Sequence, residues 1–239
     1  MYFQYYLMGI ILIPGLLLAS YAQYKVKSTY NKYSGMFSSC GLTASDFIKK
    51  LMSATDTQYL QVKSISGHLT DHYDPTKEEI CLSQDVYSSN SVAALGIACH
   101  EFGHALQKKE RYFPYQIRRV LVPITNFASS LLWPLVIIGL IFNFGVESGG
   151  AIGDIFLWSG IALFSSSVLF NLATLPVEFN ASNRAVKILK ASGTLTEEEL
   201  AGTKKVLTAA ALTYVAALVV SILNLLRFLL VVLSRTRRD

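Results

Sequence analysis

Charge is what this chain has least of. Only 15% of its 239 residues are Asp, Glu, Lys or Arg, where a soluble domain carries roughly a quarter. The shortage is concentrated. Residues 5–22, 120–145 and 155–177 hold no charge, and residues 206–233 hold one, Arg227. Each run approaches the roughly 20 residues a helix needs to cross a bilayer. A wholly soluble chain is excluded, and the pattern predicts a mainly α membrane protein with about four transmembrane helices. The first run lacks the basic leader and small-residue cleavage site of a secretory signal, so it reads as an uncleaved anchor.

Cysteine is scarce too. Cys40, Cys81 and Cys99 are odd in number and have no C-x-x-C spacing, which argues against a disulfide framework or a thiolate metal site. They read as idle thiols in a reducing compartment. The net charge of +5 forms no basic stripe with interleaved aromatics, so nucleic acid is not an expected partner.

Basic residues are missing from whole stretches. None precedes Lys25 and none lies in residues 120–183, whereas 17 of the 21 fall in residues 23–119 and 178–205. The positive-inside rule places those two segments in the cytoplasm, with the N-terminus and the 145–154 loop outside. Arg235, Arg237 and Arg238 break the rule if the last run crosses once. The resulting organisation is a membrane anchor (1–24), a polar region (25–119), a transmembrane hairpin (120–177), a polar helix (178–205) and an apolar helix with a basic tail (206–239). Asn126, Asn143, Asn171 and Asn224 within the runs are expected to make inter-helix contacts.

Against this background the polar segments carry distinct signals. Lys25–Ser34 reads as a helix continuing from the first run. Thr43 is an expected N-cap for a helix carrying Phe47, Leu51 and Met52. Asp74-Pro75-Thr76-Lys77 is a turn between expected strands Gly67–Tyr73 and Glu79–Ser83, a β-hairpin. A helix over about 91–109 follows, with Ser88, Asn90 and Ser91 as candidate caps. Thr174 is expected to cap another, with Pro176 in its first turn and Gly193 after its end. Thr196 to Glu199 forms a capping box for the last helix.

The helix over 91–109 contains His100-Glu101-Phe102-Gly103-His104, an H-E-x-x-H pattern. Residues four apart share a helix face, so both imidazoles can reach one divalent ion. Glu101 then stands beside the open coordination position as a general base for an activated water. The ordinary alternative is a polar patch on an unremarkable helix. Gly96 and Gly103 leave room for close approach to the histidine face. A catalytic zinc needs a third protein ligand. His68, His72 and a later acid are the candidates, and Glu178 stands out as the one acidic residue between Asp154 and Glu197. A lone acid in a first helical turn can also simply oppose the helix dipole.

Three stretches taken together carry a resemblance: His100–His104, Leu69-Thr70-Asp71-His72-Tyr73-Asp74-Pro75, and Leu175-Pro176-Val177-Glu178-Phe179-Asn180-Ala181-Ser182. Taken in chain order and over most of its length, the sequence resembles the bacterial membrane-anchored neutral zinc metallopeptidase family (YugP-like), distant relatives of the gluzincin membrane proteases. The resemblance implies Glu178 as third zinc ligand and polypeptides as substrates. It also implies a multi-pass protein of the bacterial cell membrane and a small α+β zincin-like catalytic domain, which the charge pattern puts in the cytoplasm. Thermolysin-type gluzincins carry an Asp four residues after the ligand Glu. Here that position is Ser182, so Asn180, Asn183 or Asp71 is left as the candidate to accept a hydrogen bond from a zinc histidine and orient its ring. His72 is a candidate transition-state donor, or else a hairpin residue bonded to Asp71 or Asp74, and His68 reads as structural. An exposed hairpin edge is suited to aligning a peptide. The expected function is a zinc metallopeptidase using a zinc-activated water. The alternative is a catalytically silent zinc-binding scaffold or adaptor, and a transporter fits less well because the runs contain no buried charge pair.

Overall fold

The capping signals are used largely where they stand. In a computed structural model, whose described residues are 9–145 and 150–236, the chain is mostly helical with one small sheet. The order is α1 (Ile13–Ser34), α2 (Ala44–Ala54), β1 (Gln61–Ile65), β2 (His72–Asp74), β3 (Glu79–Ser83), α3 (Gln84–Tyr87), α4 (Val92–Lys109), α5 (Phe113–Gly145), α6 (Gly150–Ala191) and α7 (Glu197–Thr236). Thr43 Oγ1 accepts from the Asp46 amide at the start of α2, and Ser91 Oγ accepts from the Ala94 amide at the start of α4. In the capping box of α7, the Thr196 amide donates to Glu199 at 2.8 Å and the Glu199 amide donates to Thr196 Oγ1 at 3.3 Å. The same carboxylate accepts from the amide and hydroxyl of Ser39, 160 residues away, a clamp that no local pattern announced.

Two compact units divide the residues. One takes 22–115 and 176–213; the other takes the described parts of 1–21, 116–175 and 214–239. In the first unit the sheet order is β1-β3-β2, with β1 parallel and β2 antiparallel to β3. The hairpin turn is held by Asp74, whose Oδ1 accepts from the Thr76 and Lys77 amides. The expected strand Gly67–Tyr73 shrinks to His72–Asp74, because Gly67 (φ +111°) and Leu69 (φ +55°) turn left-handed and cannot extend. Strand β1 was not anticipated; its burial does not alternate, so it lacked the period-two signature. The core gathers Phe47 and Ile48 of α2, Leu82 of β3, Val92, Leu95, Cys99 and Phe102 of α4, and Ala185 and Leu189 of α6. Burial pushes the Cys99 thiol far above its ordinary range, in keeping with an inert packing residue.

Thr174 does not begin a helix. α6 runs unbroken through Pro176, and α5 through Pro123 and Pro134. A proline removes one backbone hydrogen bond, a loss that long apolar helices accommodate when neighbouring groups re-satisfy the backbone.

In the second unit the usual burial is inverted, with large apolar side chains outward: Phe127, Trp133, Ile155 and Leu172 are each more than half exposed. Three described helices are long and apolar enough to cross a membrane, over Phe113–Phe142, Gly150–Ala191 and Glu197–Leu230. Four were expected. The first apolar run begins at residue 5, before the described residues, and its described end lies in α1. There Gly15 meets α7 so closely that a Cβ would stand 2.8 Å from Leu223. Asn224 donates to Val220 O of its own helix and Asn126 is exposed, while the side chain of Asn143 lies outside the described residues.

Candidate metal centre

Helix α4 presents His100 and His104 on one face, and α6 brings Glu178 to them. The three residues are 9%, 8% and 2% exposed. Glu178 Oε2 lies 3.1 Å from His100 Nε2 and 3.5 Å from His104 Nε2. One donor atom from each residue falls within 4.8 Å of the other two. Tetrahedral zinc with ligands at roughly 2.0–2.1 Å sets its donors about 3.3 Å apart, so both observed spacings suit it. The donor set suits it also: two imidazole nitrogens and one carboxylate are a known catalytic zinc combination. A carboxylate this deeply buried needs compensating charge, which a divalent ion held between it and the two imidazoles would supply. Neither His68 nor His72 belongs to this group.

Close helix approach makes the convergence possible. A Cβ on Gly103 would meet the Ala181 carbonyl oxygen at 2.9 Å, and a Cβ on Gly96 would meet the Thr203 methyl at 2.6 Å. Both glycines leave room for a partner on the histidine helix, as their sequence position suggested. The two should not respond alike. At Gly103 the obstacle is backbone, so Gly103→Ala should cost about 1–3 kcal/mol and weaken metal binding by moving Glu178. Gly96→Ala meets the methyl of Thr203, which is buried and tied through its hydroxyl to the Val92 carbonyl, so it should destabilise as well but leave zinc affinity near the wild type. Denaturant titration and zinc affinity of both variants check this; equal losses of zinc affinity would remove the distinction.

The histidines are oriented from behind. His100 Nδ1 lies 3.1 Å from Ser182 Oγ, so the residue four places after Glu178 contacts this histidine through a hydroxyl. His104 Nδ1 lies 3.0 Å from Gln107 Oε1. The sequence reading missed Gln107, although i+3 from a histidine on a helix was a usable signal. Asn180 reaches the site through Gln107, and Asn183 is exposed. Asp71 is committed elsewhere, accepting from the amide and hydroxyl of Ser83. Burial raises its carboxyl above the ordinary range, and the Ser83 bonds oppose that rise.

Glu101 is 8% exposed on the same helix. Burial pushes its carboxyl up to about 7; His100 opposes this, while the charges of Glu178 and Asp71 add to it. His72 stands at the edge of the sheet on β2, exposed, with its Nδ1 donating to the Thr70 carbonyl at 2.9 Å. Its bond partner is thus a backbone oxygen, and neither Asp71 nor Asp74 takes that place. His68 Nδ1 lies 2.9 Å from Asp85 Oδ2, and its ring meets Tyr30 edge-on at 5.2 Å, which agrees with a structural reading.

Comparison with known proteins points the same way. Residues 8–233 match the model of a family described as "Putative neutral zinc metallopeptidase". The chain is also similar to the "Putative membrane protease YugP" of Bacillus subtilis (strain 168). The two are 43% identical over 223 residues, covering 93% of this chain and 95% of that protein. No solved structure gave a significant match. With the family model spanning nearly the whole sequence and a His-His-Glu cluster able to hold its metal, the chain belongs to this family of neutral zinc metallopeptidases.

Proposed function

We propose that the chain is a membrane-bound zinc metalloprotease that hydrolyses peptide bonds of proteins at the cytoplasmic membrane surface. The observation that carries this reading is the convergence of His100, His104 and Glu178, with the buried carboxyl of Glu101 on the same helix. His100, His104 and Glu178 are the metal ligands. Zinc, when bound there, supplies Lewis acidity that activates water and polarises a carbonyl. Glu101 takes a proton from the attacking water and returns it to the departing amine nitrogen as the C–N bond breaks. Strand β2, at the sheet edge, is placed to pair with an extended substrate. His72 assists from that strand when its ring carries both protons, since Nδ1 is already directed at Thr70.

Residues 25–119 and 178–205 form the cytoplasmic catalytic domain of this reading. The first apolar run, the 120–177 hairpin and the 206–239 segment anchor it. The packing of Gly15 against Leu223 supports a fourth spanning helix from the first run. Glu178 follows the apolar run 155–177 directly in the sequence, which favours membrane proteins or membrane-proximal segments as substrates.

The scaffold alternative is disfavoured by Glu101. Burying a carboxyl next to two metal-binding imidazoles serves no structural end, whereas a base poised near neutrality serves hydrolysis. Purified full-length protein in lipid discs should cleave membrane-anchored reporter peptides with zinc and stop on chelation. Zinc binding with no cleavage of any membrane or soluble substrate would instead favour the scaffold.

A pH profile follows from the same group. Only ionised Glu101 accepts a proton, so kcat/KM should fall as pH drops through its pKa. Burial sets that near 7 and a bound cation lowers it, so the acid limb is expected below about 7. A kcat/KM that rises on acidification would remove Glu101 as base.

A further inference from the structure

We infer that Lys108, at the end of α4, is a positioning residue that holds strand β2 in place beside the metal centre; the inference rests on the reading that β2 receives an extended substrate. The Lys108 ammonium donates to the Pro75 carbonyl at 2.6 Å and to Glu78 Oε1 at 2.8 Å. Both acceptors belong to residues 75–78, the turn that follows β2 directly. Lys108 is largely sheltered, whereas Glu78 stays partly exposed.

Glu101 and Lys108 are seven residues apart, so they lie nearly in line on one face of α4, about 10 Å apart along its axis. β2 packs against this helix. Its first residue, His72, and the preceding Asp71 are near enough for their charges to act on the Glu101 carboxyl. Three strand steps, from His72 to Pro75, also advance about 10 Å. β2 therefore runs beside α4 from the proposed base to the lysine, with one end at each.

A strand this short depends on how its ends are held. β2 has three residues, paired to β3 on one side and forming the sheet edge on the other. Asp71 ties its N-terminal end to β3 by accepting from the Ser83 amide and hydroxyl, and the buried Tyr73 pins its middle. At its C-terminal end Lys108 is a direct polar link to the helix that carries both imidazoles. Lys109 offers a built-in comparison. It leaves the same helix end about 100° away around the axis and donates to the Thr55 and Asp56 carbonyls, both at 2.8 Å, in the loop between α2 and β1. Both lysines fasten a loop to the end of α4, but the loop that Lys108 fastens is the one attached to β2.

The test uses full-length, zinc-loaded protein in lipid discs and reads binding by calorimetry, independently of turnover. One probe is acetohydroxamate, which meets the metal alone. The other is a hydroxamate carrying a four-residue peptide, used also with its backbone amides N-methylated so that it cannot pair as a strand. In the wild type the peptide should tighten binding and N-methylation should remove that gain. Lys108→Met keeps the aliphatic stem and removes the donors. Its affinity for the peptidyl probe should fall about tenfold, as when a binding-competent strand is in place a tenth of the time. Acetohydroxamate and zinc affinity should stay at wild type, N-methylation should have little further effect, and Lys108→Arg should recover most of the loss. Lys109→Met should lower stability and leave both probes unaffected. A positioning role is overturned if Lys108→Met binds the peptidyl probe as the wild type does, if it loses both probes equally, or if Lys109→Met matches it. Should Lys108→Met not fold, Glu78→Gln decides. It keeps the Pro75 contact and trades a charged bond for a neutral one of about half the strength, so a loss of about threefold is expected and no loss overturns the role. A wild type that binds acetohydroxamate but gains nothing from the peptide would instead sink the reading of β2 as substrate strand, and one that binds no zinc would sink the metal-site reading.

Discussion

Glu101→Gln should bind one zinc with wild-type affinity and lose about 10²–10⁴-fold in kcat, the usual contribution of a positioned general base. Gln has nearly the shape of Glu but no basic oxygen. The substitution also replaces a carboxyl that burial has already pushed up to about 7, so the folded state should lose nothing and is expected to gain slightly at alkaline pH. The sign is fixed by linkage. A carboxyl whose folded pKa lies above its unfolded value opposes folding once the pH is high enough to ionise it. Metal analysis, turnover of a membrane-anchored peptide and denaturant unfolding at two pH values check the three parts. Full turnover by the zinc-loaded variant would end the proposed chemistry whatever the metal content.

The second large effect is expected at Glu178. Glu178→Ala removes the one ligand that α6 contributes and leaves His100 and His104 facing a void. Two imidazoles from one helix do not make the three-ligand set of a catalytic zinc. Metal stoichiometry should therefore drop from one toward zero, and cleavage with it. Stability offers an independent reading. Zinc at a hundredfold excess over its dissociation constant should stabilise the wild type by about 2.7 kcal/mol, and the variant should gain almost nothing. Retention of stoichiometric zinc by Glu178→Ala would show that another donor completes the site. His72 is a poor substitute, because it stands exposed on the sheet edge and its donor atoms do not join those of His100 and His104.

How much of this could be read from the chain depends on the range of each interaction. Caps were legible because they are contacts over three residues: Thr43 with Asp46, Ser91 with Ala94, and Thr196 with Glu199 each join an amide and a side chain within one turn. The Asp74 turn is equally local. The first strand of the hairpin was drawn too long, because β-branched and aromatic residues suggest extension while a left-handed Gly67 and Leu69 forbid it. Strand β1 pairs directly and in parallel with β3, which follows β2 in sequence, a non-local match that leaves no alternating signature. Pro176 misled in the opposite direction. It marks helix starts in soluble proteins, yet here α6 simply continues through it.

The sequence alone determined the ingredients: apolar runs long enough for a bilayer, a basic bias in the segments between them, and two imidazoles on one helical face with a carboxyl in the same turn. Those follow from composition and from the 3.6-residue period, which act over a few turns. Only the tertiary structure decided that Glu178, 78 residues beyond His100, lies 3.1 Å from it. It alone also decided that Gln107 and Ser182 stand behind the histidines, and that Asp71 is bonded to Ser83 instead. The physical reason is that these contacts depend on how closely α4 and α6 pack. That closeness is set by the absence of a single Cβ at Gly103 against the backbone of Ala181, and no local pattern encodes which backbone will fill such a gap.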